Sequence, residues 1–435
     1  MFPKERLKEI IVGNREFILN YVGTIIKREG FYLPEGLNKV IVLYGVRRSG
    51  KTFILYGLFR TFKDSALYID FEDERLADFK VSDFEILKEA FLELNPHLIN
   101  KPKTFLFDEI QNIKDWERFA RRAVEKEKIT LFVSGSSSKI MPQEIHTSLR
   151  GRAWSIEINP FSFKEYLKIQ NILPNKDFIY TEKKIFLKNH FKDYLRWGGF
   201  PEIILGKGEF EKAKILKEYL GSIFFKDLVE RFRINNIPLL ELLIDALFSS
   251  FSQRFSLSSF YKQYKDKLPF SKDSLFSYYK YLLESMLIFE VRKFTTSSYK
   301  RMRNPAKVYL VDTGLARRIT QENIGRLLEN IVFLELRRYT ENIFYFEEER
   351  ECDFVVNKDG RLFVYQVCYE LNEENRTREL DGLVSSALHI GLKEGCILTY
   401  DQEEELYKDG ISIKIMPVWK WIIEDANLLS SKTSK

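Results

Sequence analysis

The run Gly45, Val46, Arg47, Arg48, Ser49, Gly50, Lys51 and Thr52 fits GxxxxGK[ST] and constrains this chain more than any other feature. It lies where phosphate chemistry needs it. The apolar run VIVLY (40–44) precedes it with strand character, and TFILYGLF (52–59) follows as the start of a helix. Glycines at 45 and 50 let backbone N–H groups wrap an anion, and the new helix points its positive dipole end at it. Residues 45–53, Phe53 included, are therefore the expected nucleotide-binding set. Within it, Lys51 reaches the β and γ phosphates of ATP and Thr52 ligates Mg2+.

Four more short apolar runs alternate with helical patterns: ALYID (66–70), TFLFD (104–108), TLFVS (130–134) and WSIEI (154–158). That alternation predicts a parallel sheet covered by helices. TFLFD closes on Asp108 and Glu109, 57 residues after Lys51 with one strand candidate between. Asp108 is expected to hold Mg2+ through water, and Glu109 to polarise the attacking water. The next run ends in Ser134, Gly135, Ser136 and Ser137, at the sheet edge where ligands bind. Ser134 is either a γ-phosphate or water contact, or part of a turn rich in small residues. In SLRGRAW, Arg150 and Arg152 are either fingers for a neighbouring subunit's phosphate or solvated arginines.

Taken together, YGVRRSGKT, YIDFEDERL, FLFDEIQNIKDWERFARR, VSGSSS, LRGRAW and PFSFKEYL resemble an AAA+-type ATPase family of archaea and bacteria. YLRWGGFPE (194–202), FFKDLVERF (224–232), KVYLVDTGL (307–315) and LLENIVFLEL (327–336) extend the resemblance over nearly the whole chain. The resemblance implies an additional-strand ATPase core, a winged-helix segment and a C-terminal nuclease-like domain, and it supplies no substrate. The expected fold class is α/β: a P-loop NTPase parallel sheet with a helical lid, then a winged helix and a C-terminal mixed α/β nuclease-like domain. The expected divisions are an N-terminal helical segment (1–30), the ATPase core (31–159), the lid (160–240), the winged helix (241–306) and the nuclease-like domain (307–430).

The net charge is +6 over 435 residues, which by itself favours no partner. Its location is more telling. Residues 254–303 hold eleven Lys and Arg against four acids, so this stretch carries more than the whole surplus. SLSSFYKQYKDKL, Pro269 and SKDSLFSYYKYLLESM read as a helix-turn-helix, with Leu275, Tyr278, Tyr279, Leu282, Leu283 and Met286 on one face. LIFEVRKF and KVYLV would form the wing. Lys272, Ser274 and Lys280 at the second helix, and Arg292, Lys293 and Arg301 along the wing, are the candidate DNA contacts. The alternative is a protein-docking or lid module with solvated lysines.

Glu329, Asp353 and Gln366 are spaced as in PD-(D/E)xK nucleases, with a hairpin turn at Asp359 and Gly360. There, carboxylates hold Mg2+ beside a lysine that activates water. The pattern departs at its third motif: Gln366 replaces a carboxylate and Cys368 replaces the lysine. Gln is a weak Mg2+ ligand and Cys brings no positive charge, which favours a decayed domain over an active nuclease. Glu379 and Lys358 are the residues that would have to compensate. Cys352, Cys368 and Cys396 form no CxxC pair, and His97, His146, His190 and His389 show no ligand spacing. The N-terminus lacks a signal-type apolar stretch, and IPLLELLIDALFSSF carries Glu241 and Asp245, so a cytoplasmic protein without a membrane span is expected.

Three functions fit these residues. The first is an ATP-hydrolysing switch or motor acting on DNA through the basic segment. The second is an ATP-gated nuclease, and the third a signalling or chaperone-like NTPase that docks protein. A finger acting in trans would require a homo-oligomer.

Overall fold

A computed structural model of the chain describes residues 2–33, 36–135, 145, 147–174, 176–318 and 323–424. Ser136, Ser137 and His146 lie outside the described residues. The chain divides into two compact units, Met1–Pro160 and Phe161–Lys435.

The first unit is built on five strands: β1 (Val40–Tyr44), β2 (Ala66–Asp70), β3 (Lys103–Asp108), β4 (Ile129–Ser134) and β5 (Ala153–Glu157). All pairings are parallel, in the order β2-β3-β4-β1-β5, as the alternation of runs and helical patterns predicted. Strand β4 sits between β1 and β3, so the Gly45–Thr52 loop and Asp108 both emerge at the C-terminal edge of the sheet, one strand apart. Helices α1 (Lys4–Asn20), α2 (Lys51–Phe62), α3 (Phe84–Leu94) and α4 (Trp116–Glu125) belong to this unit. On one face, Leu7, Ile10 and Ile11 of α1 join Phe84, Leu87 and Phe91 of α3 in the core. Phe84 stacks on Phe119 of α4 with centroids 4.2 Å apart, and Phe107 of β3 lies against both rings. On the other face, Ile54, Leu55 and Phe59 of α2 cover Ile41, Leu43, Leu106 and Phe132. Burial on both faces explains why these strands are continuous apolar runs.

The second unit begins with helices and ends in a nine-stranded mixed sheet. Its strands are β6 (Gln253–Phe255), β7 (Ile288–Lys293), β8 (Ala306–Leu310), β9 (Ile343–Glu347), β10 (Glu351–Lys358), β11 (Arg361–Val367), β12 (Glu394–Thr399), β13 (Glu404–Lys408) and β14 (Ile411–Pro417). The order is β13-β14-β12-β11-β10-β9-β7-β8-β6. Residues 241–306 and 307–430 therefore share one sheet, because β7 pairs in parallel with β9 through Arg292–Phe344 and Lys293–Tyr345. Within the basic segment, α5 (Leu257–Tyr264) and α6 (Lys272–Glu284) are capped by the Ser256 and Ser271 side chains. Helix α6 buries Leu275, Tyr278, Tyr279 and Leu282. Strands β6, β8 and β7 form an antiparallel trio beside these helices. The β7–β8 connection holds a short helix, Ser298–Arg303. Helices α7 (Ile324–Arg337) and α8 (Arg376–Ile390) complete the part of the unit that carries Glu329 and Glu379. The β10–β11 hairpin turns at Asp359 (φ 51°) and Gly360 (φ 83°), the positive-φ pair that a two-residue hairpin loop needs.

Candidate functional site

The loop between β1 and α2 is shaped by two glycines. Gly50 caps α2 in the left-handed region (φ 95°). Gly45 (φ 152°) leaves room for the Ile158 carbonyl; a Cβ there would lie 2.1 Å from that oxygen. Lys51 opens α2 with its side chain folded back, donating from Nζ to the carbonyls of Gly45 at 3.0 Å and Val46 at 2.9 Å. The residue is only 6% exposed, so its charge sits at the loop and not in bulk water. Ser49 is fully buried, and its Oγ has no hydrogen-bond partner among the described residues. A buried hydroxyl without a partner costs free energy. Arg47 is half-buried, while Arg48 (φ 69°) and Phe53 (51% exposed) face outward.

Across the sheet edge, Asp108 is 2% exposed and accepts from the Ser134 hydroxyl, from Tyr68 Oη at 3.2 Å and from the Glu109 amide at 3.2 Å. Ser134 thus orients the carboxylate expected to hold the metal. Glu109 takes a left-handed conformation (φ 47°), and its carboxylate accepts from the Gln111 side-chain amide. Asp70 was not foreseen. It ends β2 directly opposite Asp108 in the β2–β3 register, and burial, together with the Asp108 charge, pushes its pKa up to about 6. The signal was present in ALYID, an apolar strand closing on an acid at the ligand-binding edge. Thr52 and Asp108 would hold Mg2+, and the buried, oriented carboxylate suits a hard cation. Of the two candidate arginines, Arg152 is ion-paired to Glu125 of its own chain, and Arg150 is exposed on a turn at φ 51°.

The second unit brings Glu329, Asp353 and Gln366 together, but around a residue that the sequence reading passed over. Lys307 of β8 is 3% exposed. Its Nζ meets Asp353 Oδ1 at 2.7 Å, Glu351 Oε1 at 2.8 Å and Glu329 Oε1 at 3.2 Å. An ammonium has three N–H donors, and three carboxylates take them. Tyr309, two residues on and on the same face of β8, donates to Glu329 Oε1 at 2.6 Å. Burial works against the Lys307 charge, but Asp353 and then Glu329 hold its pKa well above the usual lysine value. Burial, then Asp353, pushes Glu329 up to about 8.

The remaining polar atoms of this cluster are also committed. Asp353 Oδ2 accepts from the Val367 amide at 2.8 Å. Gln366 Oε1 accepts from the Asp353 amide at 3.0 Å, while its Nε2 donates to Glu379 Oε2 at 2.6 Å. Glu379 is paired with Arg378 as well, and Lys358 donates to the Tyr339 carbonyl away from the cluster. Neither of the two suggested compensating residues supplies a free metal ligand or a catalytic lysine. The lysine inside the apolar strand AKVYL was the available signal, since a strand interior rarely holds a charge without partners. Among the described residues, no group of three or more His, Cys, Asp or Glu is arranged to hold a metal ion.

In the basic segment, Lys272 and Lys280 are exposed on α6, and Ser274 bonds the capping Ser271 hydroxyl. Arg292 is paired with Glu290 at 2.7 Å and Lys293 with Glu348 at 3.5 Å. Arg301 donates to the Thr295 carbonyl and stacks over Phe344. The outward-facing cations include Lys262, Lys265 and Lys267 at α5 and the turn after it, and Lys300 and Arg303 on the short helix. No described helix is long and apolar enough to cross a membrane.

Comparison with known proteins matches residues 37–167 to an AAA domain and residues 188–324 and 324–421 to two domains of unknown function. An uncharacterized protein of Methanocaldococcus jannaschii is 38% identical over 405 residues, covering 88% of each chain. An uncharacterized protein of Haemophilus influenzae is 26% identical over 392 residues, covering 87% of this chain and 93% of the relative. Solved structures that share similarity include the Aeropyrum pernix ORC1 protein in complex with DNA, at 14% identity and a TM-score of 0.29. That match covers 75% of this chain and 91% of the other. The Thermotoga maritima RuvB Holliday junction branch migration motor gives 15% identity and a TM-score of 0.26, covering 69% and 93%. Likeness at that level decides nothing about function.

Proposed function

The chain belongs to a family of AAA-domain proteins that continue into domains of unknown function, and from that premise we propose that it hydrolyses ATP and uses the cycle to act on DNA. The observation that carries the reading is the side chain of Lys51, folded onto the carbonyls of its own loop, in which the buried Ser49 hydroxyl has no partner among the described residues. Backbone amides of residues 45–52 receive the phosphates, and Lys51 exchanges its two carbonyl partners for phosphate oxygens. Thr52 and Asp108 would hold Mg2+, which would supply charge neutralisation for the transferred phosphoryl group. Glu109, steadied by Gln111, orients the attacking water, and Ser134 and Tyr68 fix Asp108.

The DNA partner is supported by the excess of cations in residues 254–303 and by their layout. Two short helices and an antiparallel trio of strands in winged-helix sequence order place Lys272 and Lys280 on the outer side of α6. The contact set moves accordingly from Arg292, Lys293 and Arg301, which are half-buried, toward the exposed Lys262, Lys265, Lys267, Lys300 and Arg303. Nuclease chemistry has no support in this arrangement, because Lys307 occupies the centre of the carboxylates that a metal would need. The test is ATP turnover with and without double-stranded DNA. Turnover that DNA stimulates, and that Lys51→Ala removes, is the expected result. Absence of hydrolysis in both conditions contradicts the ATPase reading, and turnover and binding indifferent to DNA contradict the DNA reading.

A further inference from the structure

We propose that Arg28 is a positioning residue that relays the state of the phosphate-binding loop to Glu157–Asn159, the segment from which the chain passes on to Phe161. The proposal rests on the ATP-binding reading above and assigns that site an output. One guanidinium bridges the two places: it donates from Nη1 to the Ser49 carbonyl at 3.0 Å and from Nη2 to the Asn159 carbonyl at 2.5 Å. The fork geometry of arginine makes such a bridge possible, with two donors fixed in one plane.

The loop and the segment are also in direct contact. The Ile158 amide donates to the Tyr44 carbonyl at 2.7 Å, and the Ile158 carbonyl lies against Gly45 so closely that no side chain fits there. Asn159 Nδ2 donates to Glu157 Oε1 at 3.0 Å, and Tyr44 Oη donates to Glu157 Oε2 at 3.4 Å. Residues 157–159 therefore wrap the loop from Gly45 at its start to Ser49 near its end, and Arg28 closes the wrap.

Both ends of this clamp hold an unsatisfied buried atom. Ser49 Oγ and Asn159 Oδ1 have no hydrogen-bond partner among the described residues, although Ser49 is 0% and Asn159 7% exposed. Buried polar atoms of this kind favour a second arrangement in which they are paired. Phosphate binding supplies the trigger, because Lys51 must release the carbonyls of Gly45 and Val46, and Gly45 is the residue seated on Ile158. A shift at the loop then reaches Asn159 through contacts that already exist. Coupling requires an element with two arrangements whose balance the ligand biases, and that is the role the proposal gives to Arg28 and Glu157–Asn159.

The test uses the full chain, a non-hydrolysable ATP analogue with Mg2+, and backbone hydrogen exchange over Glu157–Asn159. Wild-type protein is expected to change its exchange there when the analogue binds. Arg28→Ala is expected to bind the analogue with affinity close to wild type and to lose the exchange change. Arg28→Met keeps much of the side chain's length but has no N–H donor for either carbonyl, so it is expected to lose the change as well, and it carries the test if the alanine variant fails to fold. An exchange change retained in either folded variant overturns the proposal, as does a wild type that binds the analogue with no change at these amides. Arg28 variants that bind as poorly as Lys51→Ala also overturn it, since Arg28 would then belong to the nucleotide site itself. A wild type that binds no nucleotide fails the ATP reading instead, and is distinguished by the binding measurement.

Discussion

Two buried lysines sit at the two chemically suggestive places in this molecule, and their surroundings are opposite. Lys51 donates to main-chain carbonyls, and the Ser49 hydroxyl of the same loop has no hydrogen-bond partner among the described residues. Lys307 has three carboxylates on its three N–H donors, and the groups around it are bonded to one another. The first arrangement leaves a buried polar atom unpaired among the described residues, whereas the second already contains its cation. Sequence motifs mark both places as metal- or phosphate-binding. The hydrogen-bond inventory separates them: a buried polar atom is left over at the first, while at the second a lysine already fills the space between the carboxylates.

The sharpest way to break this contrast is to remove each charge in turn. Lys51→Ala should lower ATP turnover by on the order of 10²–10³-fold, as for loss of a key transition-state donor, while melting near wild type. Lys307→Met should leave turnover close to wild type and destabilise the second unit by about 3–5 kcal/mol, because three carboxylates lose their buried counter-charge. Chemical denaturation followed by a probe in residues 161–424 measures it. If Lys307→Met loses turnover and keeps its stability, the assignment of roles is reversed.

A smaller effect concerns pH. Asp312 is buried, accepts from the amides of Gly199 at 2.7 Å and Gly314 at 2.8 Å, and burial pushes it up to about 7. Its raised pKa means that the folded state holds the proton more tightly than the unfolded chain. The stability this contributes is complete below about pH 4 and is lost as pH rises through about 7. Asp312→Asn cannot ionise, so denaturation midpoints compared at acid and neutral pH should show a flatter decline in the variant. An unchanged slope would place the titrating group elsewhere. The smallest expected effect is at the basic segment, where Lys272→Ala should weaken DNA binding at all sequences and reduce the salt slope by about 1. A fall confined to one DNA sequence would mean that Lys272 reads a base edge and not a phosphate.

Much of the first unit was legible in the sequence because its strands are buried on both faces. Continuous apolar runs such as VIVLY and TFLFD identify themselves, and GxxxxGK[ST] fixes the loop between a strand and a helix. Asp70 and Arg28 were not legible, because what matters about each is a neighbour far along the chain: Asp108 in register, Ser49 and Asn159 in reach. In the second unit, the two helices α5 and α6 and the β10–β11 hairpin are local and were readable. The sharing of one sheet by β7 and β9 is a pairing between residues about fifty apart, which no local pattern encodes. Lys307 was hidden for a related reason: its partners Glu329, Glu351 and Asp353 come from a helix and another strand. Motif spacing located the carboxylates, but only the fold shows what fills the space between them.

The most direct measurement of the central claim is one incubation of the full chain with Mg2+, ATP and supercoiled plasmid, scored for released phosphate and for nicked DNA. The account predicts phosphate release that Lys51→Ala removes, with the plasmid left intact. Plasmid cleavage that Asp353→Ala abolishes, or no phosphate release at all, would contradict it.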